Sequence, residues 1–304
     1  MEKSEKSVCT ECREKAVMSN FCRDHFIKYF EKKVNDCIDS YNLVPANAKI
    51  LVGVSGGKDS LTVLYLLNKR FSGQVTAYAV DEGISGYRDK TLKDVDSFCS
   101  KYKIPLIKES FEGQFDLSID SVYPVLKQKP CSVCGVFRRY LLNKHREFDI
   151  LATGHNLDDE AQSIVMNLLK NQVSFLAKLG PKSGLIESES FLQRIKPLYF
   201  CTEKEVMAYA FLHSFKNSFV ECPHAKVSFR IQVRDGLNDY EYKNPGTKKR
   251  IVENFINLLP SLKEKSLVDY NGISKCSNCG EASRNHLCKA CELVGKLKPL
   301  VILQ

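Results

Sequence analysis

The thirteen cysteines of the chain fall into groups whose spacing is typical of metal sites. Two groups have a pair of ligands, a gap, and a second pair. They are Cys9, Cys12, Cys22 and His25 near the start, and Cys276, Cys279, Cys288 and Cys291 near the end. Four such ligands suit tetrahedral Zn²⁺, with rubredoxin-like iron as the alternative. We therefore predict two structural zinc modules.

A third group of cysteines has a different pattern. Cys131 and Cys134 form a CxxC pair before a predicted helix, and Cys222 follows far along the chain. We expect the helix N-terminus, Arg138 and Arg139 to lower the thiol pKa values. Three thiolates suit an iron–sulfur cluster that leaves one iron without a protein ligand. The alternative is a cluster-free site in which one cysteine carries a persulfide and another resolves it.

A loop rich in glycine and serine could bind phosphate. It joins an apolar run at residues 50–54 to an apolar helical pattern at 61–67. Its residues are Ser55, Gly56, Gly57, Lys58, Asp59 and Ser60. Backbone N–H groups at a helix N-terminus can hold phosphate, and glycine lets the backbone approach the ligand closely. The spacing of a Walker A loop is absent.

A second polar segment follows the predicted strand at residues 150–153. It has the sequence Thr-Gly-His-Asn-Leu-Asp-Asp-Glu from Thr153 to Glu160. Ligands bind beyond the carboxyl ends of parallel strands, so this segment and the glycine-rich loop should face one cleft. The adjacent carboxylates Asp158 and Asp159 suit Mg²⁺ coordination or proton removal, or they only complement the helix dipole.

Strands and helices are expected to alternate between these motifs. The sequence predicts strands at residues 50–54, 74–80, 104–109, 150–153 and 194–198. It predicts helices from residue 26 into the mid-thirties, at 61–67, 90–102, 137–148 and 158–169, and from near 202. A last helix is predicted at 249–259, ending at Pro260. This alternation is typical of a doubly wound, mainly parallel α/β sheet. We expect that domain at residues 31–270, with zinc modules at 1–30 and 271–304.

The amino-acid composition indicates what kind of partner the protein binds and in which cellular compartment it works. The net charge of +9 favours a polyanion such as RNA, although basic stretches can equally be solvated surface. The N-terminal residues lack the apolar core of a signal peptide, and no apolar run is long enough to span a membrane. We expect a cytoplasmic protein in which Cys37, Cys99 and Cys201 are buried structural residues.

Taken together, the motifs resemble those of a known family. Residues 55–60 are similar to the SGGxDS loop of the PP-loop ATP pyrophosphatases, which have a Rossmann-like fold of the HUP type and adenylate their substrates. With the GHNxDD segment at 154–159, PCSVCG at 130–135, ECP at 221–223 and both zinc modules, the chain resembles the tRNA 2-thiouridine synthetases. The resemblance covers nearly the whole chain.

The resemblance implies roles for individual residues. It implies that the loop holds the pyrophosphate of ATP, that Asp59 helps to hold Mg²⁺, and that Ala79 lies near the adenine. It also implies that Gly154 and Asp159 contact ATP and that Asp158 is a candidate base. In addition, it implies a [4Fe–4S] cluster on Cys131, Cys134 and Cys222, and a phosphate or the activated base as the partner of Arg138.

The reaction that this resemblance implies is ATP-dependent 2-thiolation of a tRNA uridine. ATP would adenylate the uridine O2, and sulfur from the cluster would replace the oxygen. We favour the wobble uridine at tRNA position 34, with the T-loop uridine at position 54 as the alternative. A ubiquitin-like carrier or free sulfide would donate the sulfur, and the family suggests a homodimer.

Three other functions fit less of the sequence. An amidating or lysidine-forming enzyme would leave Cys131, Cys134 and Cys222 without a role. Cytidine-thiolating relatives lack the paired zinc modules. A non-catalytic zinc-ribbon RNA-binding protein would not need Ser55, Lys58 and Asp59, and all three are present.

Overall fold

A six-stranded sheet organises the protein, of which a computed structural model describes residues 8–126, 129–185, 191–216, 218, 220–224, 229–268 and 273–303. Its strands are β1 (Ile50–Gly53), β2 (Val75–Asp81), β3 (Leu106–Ser110), β4 (Ile150–Ala152), β5 (Lys182–Ser183) and β6 (Gln193–Ile195). They lie in the order β3-β2-β1-β4-β6-β5. All neighbours are parallel except β5, which is antiparallel to β6. The predicted mainly parallel α/β sheet is confirmed.

Helices cover both faces of this sheet. They are α1 (Arg23–Ser40), α2 (Lys58–Arg70), α3 (Arg88–Tyr102), α4 (Phe111–Phe115), α5 (Ile119–Val122), α6 (Pro130–Lys144), α7 (Leu157–Leu169), α8 (Val173–Leu176), α9 (Glu203–Leu212), α10 (Phe229–Lys243), α11 (Thr247–Val268) and α12 (Lys289–Ile302). A 3-10 turn (Tyr123–Val125) follows α5, and a two-stranded sheet, β7 (Ser274–Lys275) with β8 (Ala282–Ser283), precedes α12.

Two hydrophobic cores lie on opposite sides of the sheet. Side chains alternate between the faces of a strand, so Ile50 and Val52 of β1 enter one core and Leu51 enters the other. Helices α1, α2, α7, α9 and α11 pack on the Ile50 side, and α6 and α12 pack on the Leu51 side. Cys37, Cys99 and Cys201 are buried on the Ile50 side, as predicted.

Two helix boundaries differ from the prediction. Helix α6 begins at Pro130 rather than Phe137, so the CxxC pair lies in its first turn, where proline at the first helical position is favourable. Helix α11 continues through Pro260 to Val268 instead of ending there. Pro260 is exposed to water, while Leu259 is buried in the core and Leu262 packs against it, so the helix tolerates the missing N–H.

Five helices of the described residues, α4, α5, α8, α10 and α12, were not predicted. Among the described residues, no helix is long and apolar enough to cross a membrane. The proposed division at residues 1–30, 31–270 and 271–304 stays a prediction.

Gly154 follows strand β4 by two residues and packs directly against the start of α2. A Cβ atom at this position would lie 2.7 Å from the backbone nitrogen of Ser60 and 2.8 Å from the carbonyl carbon of Asp59. We expect Gly154→Ala to lower the free energy of unfolding by about 1–3 kcal/mol, because backbone atoms must shift to admit the methyl group. Urea denaturation measures the change.

The matched control for this substitution is Gly236→Ala in α10, where a Cβ atom meets nothing within 4 Å. It should raise stability by about 0.5–1 kcal/mol, because alanine is the better helix former. A Gly154→Ala protein as stable as the wild type would contradict the close approach.

Candidate functional site

The glycine-rich loop is a tight turn at the carboxyl end of β1. Gly56 has φ +86°, and a Cβ atom there would lie 2.5 Å from the carbonyl oxygen of Thr91. The Ser60 hydroxyl accepts from the backbone N–H of Ser55 at 3.2 Å and donates to the carbonyl of Gly57 at 2.9 Å. The loop therefore leads directly into the N-terminus of α2, as a phosphate-binding loop requires.

The two predicted cleft motifs meet through Asn156. Its side-chain amide donates to Asp59 Oδ1 at 3.0 Å, and its side-chain oxygen accepts from the backbone N–H of Asp159 at 3.1 Å. Lys58 Nζ lies 3.0 Å from Asp59 Oδ2 and 3.0 Å from Glu203 Oε1. The loop and the second polar segment thus share one cleft, as expected from the strand ends.

The end of β2 is tied to the same loop by a buried arginine. Arg88 donates to the carbonyl of Ser55 at 2.9 Å and also to the carbonyl of Val80. Ala79, the residue expected near the adenine, is fully buried in this strand. The strand end and the loop are therefore held in one arrangement.

The adjacent carboxylates of the second segment have different environments. Asp158 is buried, and its oxygens accept from Lys248 Nζ and from the backbone N–H of Glu203, the latter at 2.8 Å. Asp159 pairs with Arg230 at 2.9 Å, and burial raises its pKa to about 6 despite that arginine. Other protein groups thus engage both carboxylate oxygens of Asp158. Asp159 lies close enough to Asp59 across the cleft for their charges to interact.

The third cysteine group lies at one end of α6. The Cys131 thiol is exposed and donates to the carbonyl of His224 at 3.6 Å. Cys134 is buried, and the charges of Cys131, Cys222 and Arg138 all influence it. The structure therefore brings the three predicted cysteines to one place, beside Arg138.

The prediction of lowered thiol pKa values is wrong for two of these cysteines. Burial raises the pKa of Cys134 to about 12 and outweighs the opposing effect of Arg138. Burial also raises the pKa of Cys222. Deprotonation of these thiols at neutral pH therefore needs a cation in direct contact, and metal coordination supplies one.

The spacing of the three cysteines tests which metal group fits. A single tetrahedral zinc at about 2.3 Å from each sulfur draws its ligands to within about 4 Å of one another. Among the described residues, the two terminal sets each gather within 4.8 Å, and the triple Cys131, Cys134 and Cys222 does not. A group larger than one ion, such as an iron–sulfur cluster, fits this wider spacing.

Both terminal sets have the geometry of closed tetrahedral sites. His25 Nδ1 lies 3.4 Å from Cys9 Sγ and 3.3 Å from Cys22 Sγ. In the second set, the backbone N–H of Cys288 donates to Cys276 Sγ at 3.1 Å, and this bond is the main reason that the pKa of Cys276 falls to about 6. N–H groups aimed at sulfur stabilise thiolates, so both sets can hold a metal ion.

Cations from several elements lie around His155. Desolvation by the surrounding protein, followed by Lys196, Arg230, Arg194 and Arg138, lowers the pKa of this imidazole, although its side chain is exposed. A neutral imidazole therefore faces a positively charged cleft. No spacing signal in the sequence marks Lys196, Arg194, Arg230 or Lys248, because they come from separate elements after the motifs.

Comparisons with known proteins follow the same motifs. The ATP_bind_3 model, a PP-loop domain, matches residues 22–224. The tRNA-5-methyluridine(54) 2-sulfurtransferase of Pyrococcus horikoshii is 35% identical, over 92% of this chain and 89% of the relative. Cytoplasmic tRNA 2-thiolation protein 1 of Danio rerio is 32% identical, over 94% of this chain and 87% of the relative.

A solved structure matches over nearly the full length. It is the U34-tRNA thiolase NcsA of Methanococcus maripaludis with its [4Fe-4S] cluster, at TM-score 0.79 and 33% identity, covering 95% of this chain and 96% of that chain. The glycine-rich loop, the Asn156 junction and the three cysteines therefore lie within a matching fold. The chain belongs to the PP-loop family of tRNA 2-thiolation proteins.

Proposed function

We propose that the protein is an ATP-dependent tRNA uridine 2-sulfurtransferase that modifies the wobble uridine at position 34. One observation carries the proposal: Arg88 contacts both the phosphate-binding loop and Glu82, and Glu82 also pairs with Arg138 beside Cys134, so the loop and the three convergent cysteines lie close together. Adenylation needs the loop, and sulfur delivery needs the cysteines. The relatives named for thiolation support this assignment.

ATP fits the cleft around the loop. Ser55, Gly56, Gly57, Lys58 and Ser60 would hold its pyrophosphate part, Gly154 would contact ATP beside the loop, and Ala79 would lie near the adenine. Asp59 and Asp159 would hold Mg²⁺, and the interaction of their charges supports this assignment. Attack of the uridine O2 on the α phosphate then releases pyrophosphate and leaves the base with AMP as a leaving group.

Asp158 has a supporting role in this scheme rather than that of a base. Its oxygens are engaged by Lys248 and by the backbone of Glu203. It therefore fixes the start of α9, and Glu203 of α9 in turn pairs with Lys58. Asp158 would position the loop lysine that binds phosphate.

Cys131, Cys134 and Cys222 would hold a [4Fe–4S] cluster with one iron free of protein ligands, and the cluster would bind the sulfide that the donor provides. Arg138 lies beside Cys134 and 3.7 Å from the buried Glu82, so its charge is only partly compensated. It would stabilise the negative charge that the AMP leaving group carries. Sulfur replaces the O2 oxygen, and AMP departs.

The sulfur donor would be a ubiquitin-like carrier or free sulfide, and the active form a cytoplasmic homodimer. Extrusion of the target uridine from its stack costs a few kcal/mol, and less in a loop than in a helix. Thiolation assays with tRNA that lacks uridine at position 34 or at position 54 separate the two target sites. Loss of product only with the position-54 substrate would contradict the wobble assignment.

Metal analysis of anaerobically purified protein tests the proposed centre. We expect about four irons, four acid-labile sulfides and two zinc ions per chain, because three cysteine sets are present. Zinc alone, even after anaerobic reconstitution, would contradict the cluster and favour the persulfide route on the same cysteines.

Replacing Cys222 separates sulfur delivery from ATP binding. We expect Cys222→Ala to lose thiolation activity and most of its iron while binding ATP normally, because this cysteine belongs to the cluster set and not to the loop. The assays are 2-thiouridine formation, iron content and equilibrium dialysis with ATP. The control is Cys99→Ala, a buried cysteine of α3, which should keep its iron and activity. Wild-type product from the Cys222→Ala protein would exclude the cluster from the reaction.

The C-terminal set can be tested without an activity assay. Cys276→Ser should reduce the bound zinc from two ions to one per chain and lower the thermal unfolding midpoint, because a closed zinc site contributes folding energy. Atomic emission and calorimetry measure the two effects. Cys201→Ala, at a buried cysteine outside both sets, should retain both zinc ions. A Cys276→Ser protein with two zinc ions would rule out this set as a zinc site.

A further inference from the structure

Two arginines beside the cleft lack the acidic partners that the surrounding cations have. The paired cations are Arg138 with Glu82, Lys196 with Glu160, Arg230 with Asp159, and Lys248 with Asp158. Arg139 and Arg194 form no ion pair with any residue that the structure describes, and the charged group that most affects Arg194 is Arg139 itself. Neither arginine of this pair therefore has a carboxylate partner among the described residues.

The packing of α6 on β6 brings the two arginines together. The backbone N–H of Leu192 donates to Asn143 Oδ1 at 3.1 Å, which fixes the end of α6 to the start of β6. Arg139 precedes Asn143 by four residues, which is about 6 Å along the helix axis, and Arg194 follows Leu192 by two residues, which is about 7 Å along the strand. Because α6 runs antiparallel to the strands, both distances lead in the same direction, and the two arginines lie side by side.

The arginine on α6 points toward the cysteine end of its helix. A Cβ atom on Gly135 would lie 3.3 Å from Arg139 Nη1 and 3.6 Å from Nη2, so the guanidinium lies over Gly135, next to Cys134. The arginine on β6 lies on the face that α6 covers, because its register partner Leu151 belongs to the same core as α6. Burial, and then Arg139, lower the pKa of Arg194 to about 10, which leaves both groups charged at neutral pH.

Two charged guanidinium groups held together without an acid form a site for a bidentate anion. Two guanidinium forks side by side match the two free oxygens of a phosphodiester.

We propose that Arg139 and Arg194 together bind a backbone phosphodiester of the tRNA, next to the target uridine. The inference rests on the proposed function, because it assumes a tRNA substrate. Phosphate contacts position a nucleic acid and carry no sequence information. The clamp would hold the strand at the rim of the cleft, so that the extruded base lies between the glycine-rich loop and the three cysteines. Both arginines are positioning residues.

The test measures tRNA binding by the anaerobically prepared holoenzyme across a series of salt concentrations. Arg139→Gln and Arg194→Gln should each weaken the binding of unmodified tRNA about tenfold to hundredfold, the effect of losing a charged hydrogen bond. The slope of log Kd against log salt should fall by about one. Iron content and ATP affinity should match the wild type. Arg194→Lys keeps the charge without the planar fork, so it should keep the wild-type salt slope at intermediate affinity.

Arg70→Gln is the matched control, because Arg70 lies in the last turn of α2, at the opposite end of the sheet, and pairs with Asp39. It should bind tRNA like the wild type. Unchanged affinity and salt slope in the Arg139→Gln and Arg194→Gln proteins would overturn the proposal. So would a loss of rate only with a thiocarboxylate carrier, since the pair would then bind the donor protein. Wild-type holoenzyme that binds no tRNA would instead refute the proposed function itself.

Discussion

The cleft depends on the side chain of one buried asparagine. The amide of Asn156 begins α7 by accepting from the backbone of Asp159, and the same group donates to Asp59 on the glycine-rich loop. One oxygen and one nitrogen on a planar group thus set the distance between two motifs that lie 97 residues apart in the chain. Gly154 leaves no space for a side chain against Ser60, so the two motifs cannot approach more closely, and moving them apart breaks the bond of Asn156 to Asp59. The remaining groups of the nucleotide site are placed relative to this junction.

Burial of charge accounts for most of the other contacts in the cleft. Several carboxylates there are desolvated, and an unpaired buried charge is costly, so each has a cation from another element. Lys248 compensates Asp158, Arg230 compensates Asp159, and Lys196 compensates Glu160. Burial also acts on Cys134, where it outweighs the nearby arginine and favours the protonated thiol in the protein alone. Side chains therefore balance the carboxylates of the nucleotide site, whereas burial disfavours the charged form of Cys134.

Local patterns predicted the elements and the motifs, and long-range packing determined the rest. The apolar run at residues 50–54 and the ligand spacing around Cys276 are local signals, and the structure confirms the strand and the convergent ligands. The thiol pKa values at Cys134 and Cys222 were predicted wrongly, because burial is not visible from a CxxC pair beside arginines. Helix α11 passes Pro260, which is exposed, while the adjacent Leu259 is buried in the core, and this packing is again a tertiary effect. Arg230 and Lys248 could not be assigned from sequence, since nothing near them indicates which carboxylates they meet.

The contact between Lys248 and Asp158 also has a consequence for biosynthesis. These residues are 90 positions apart, and Lys248 lies outside the stretch that matches the PP-loop model. At translation rates of about 5–20 residues per second, Asp158 leaves the ribosome on the order of ten seconds before its partner is made. During that interval Asp158 lacks the cation that compensates it in the folded protein, and an unpaired carboxylate is costly to bury. The start of α7 can therefore complete its packing only late in synthesis, after Lys248 has been made.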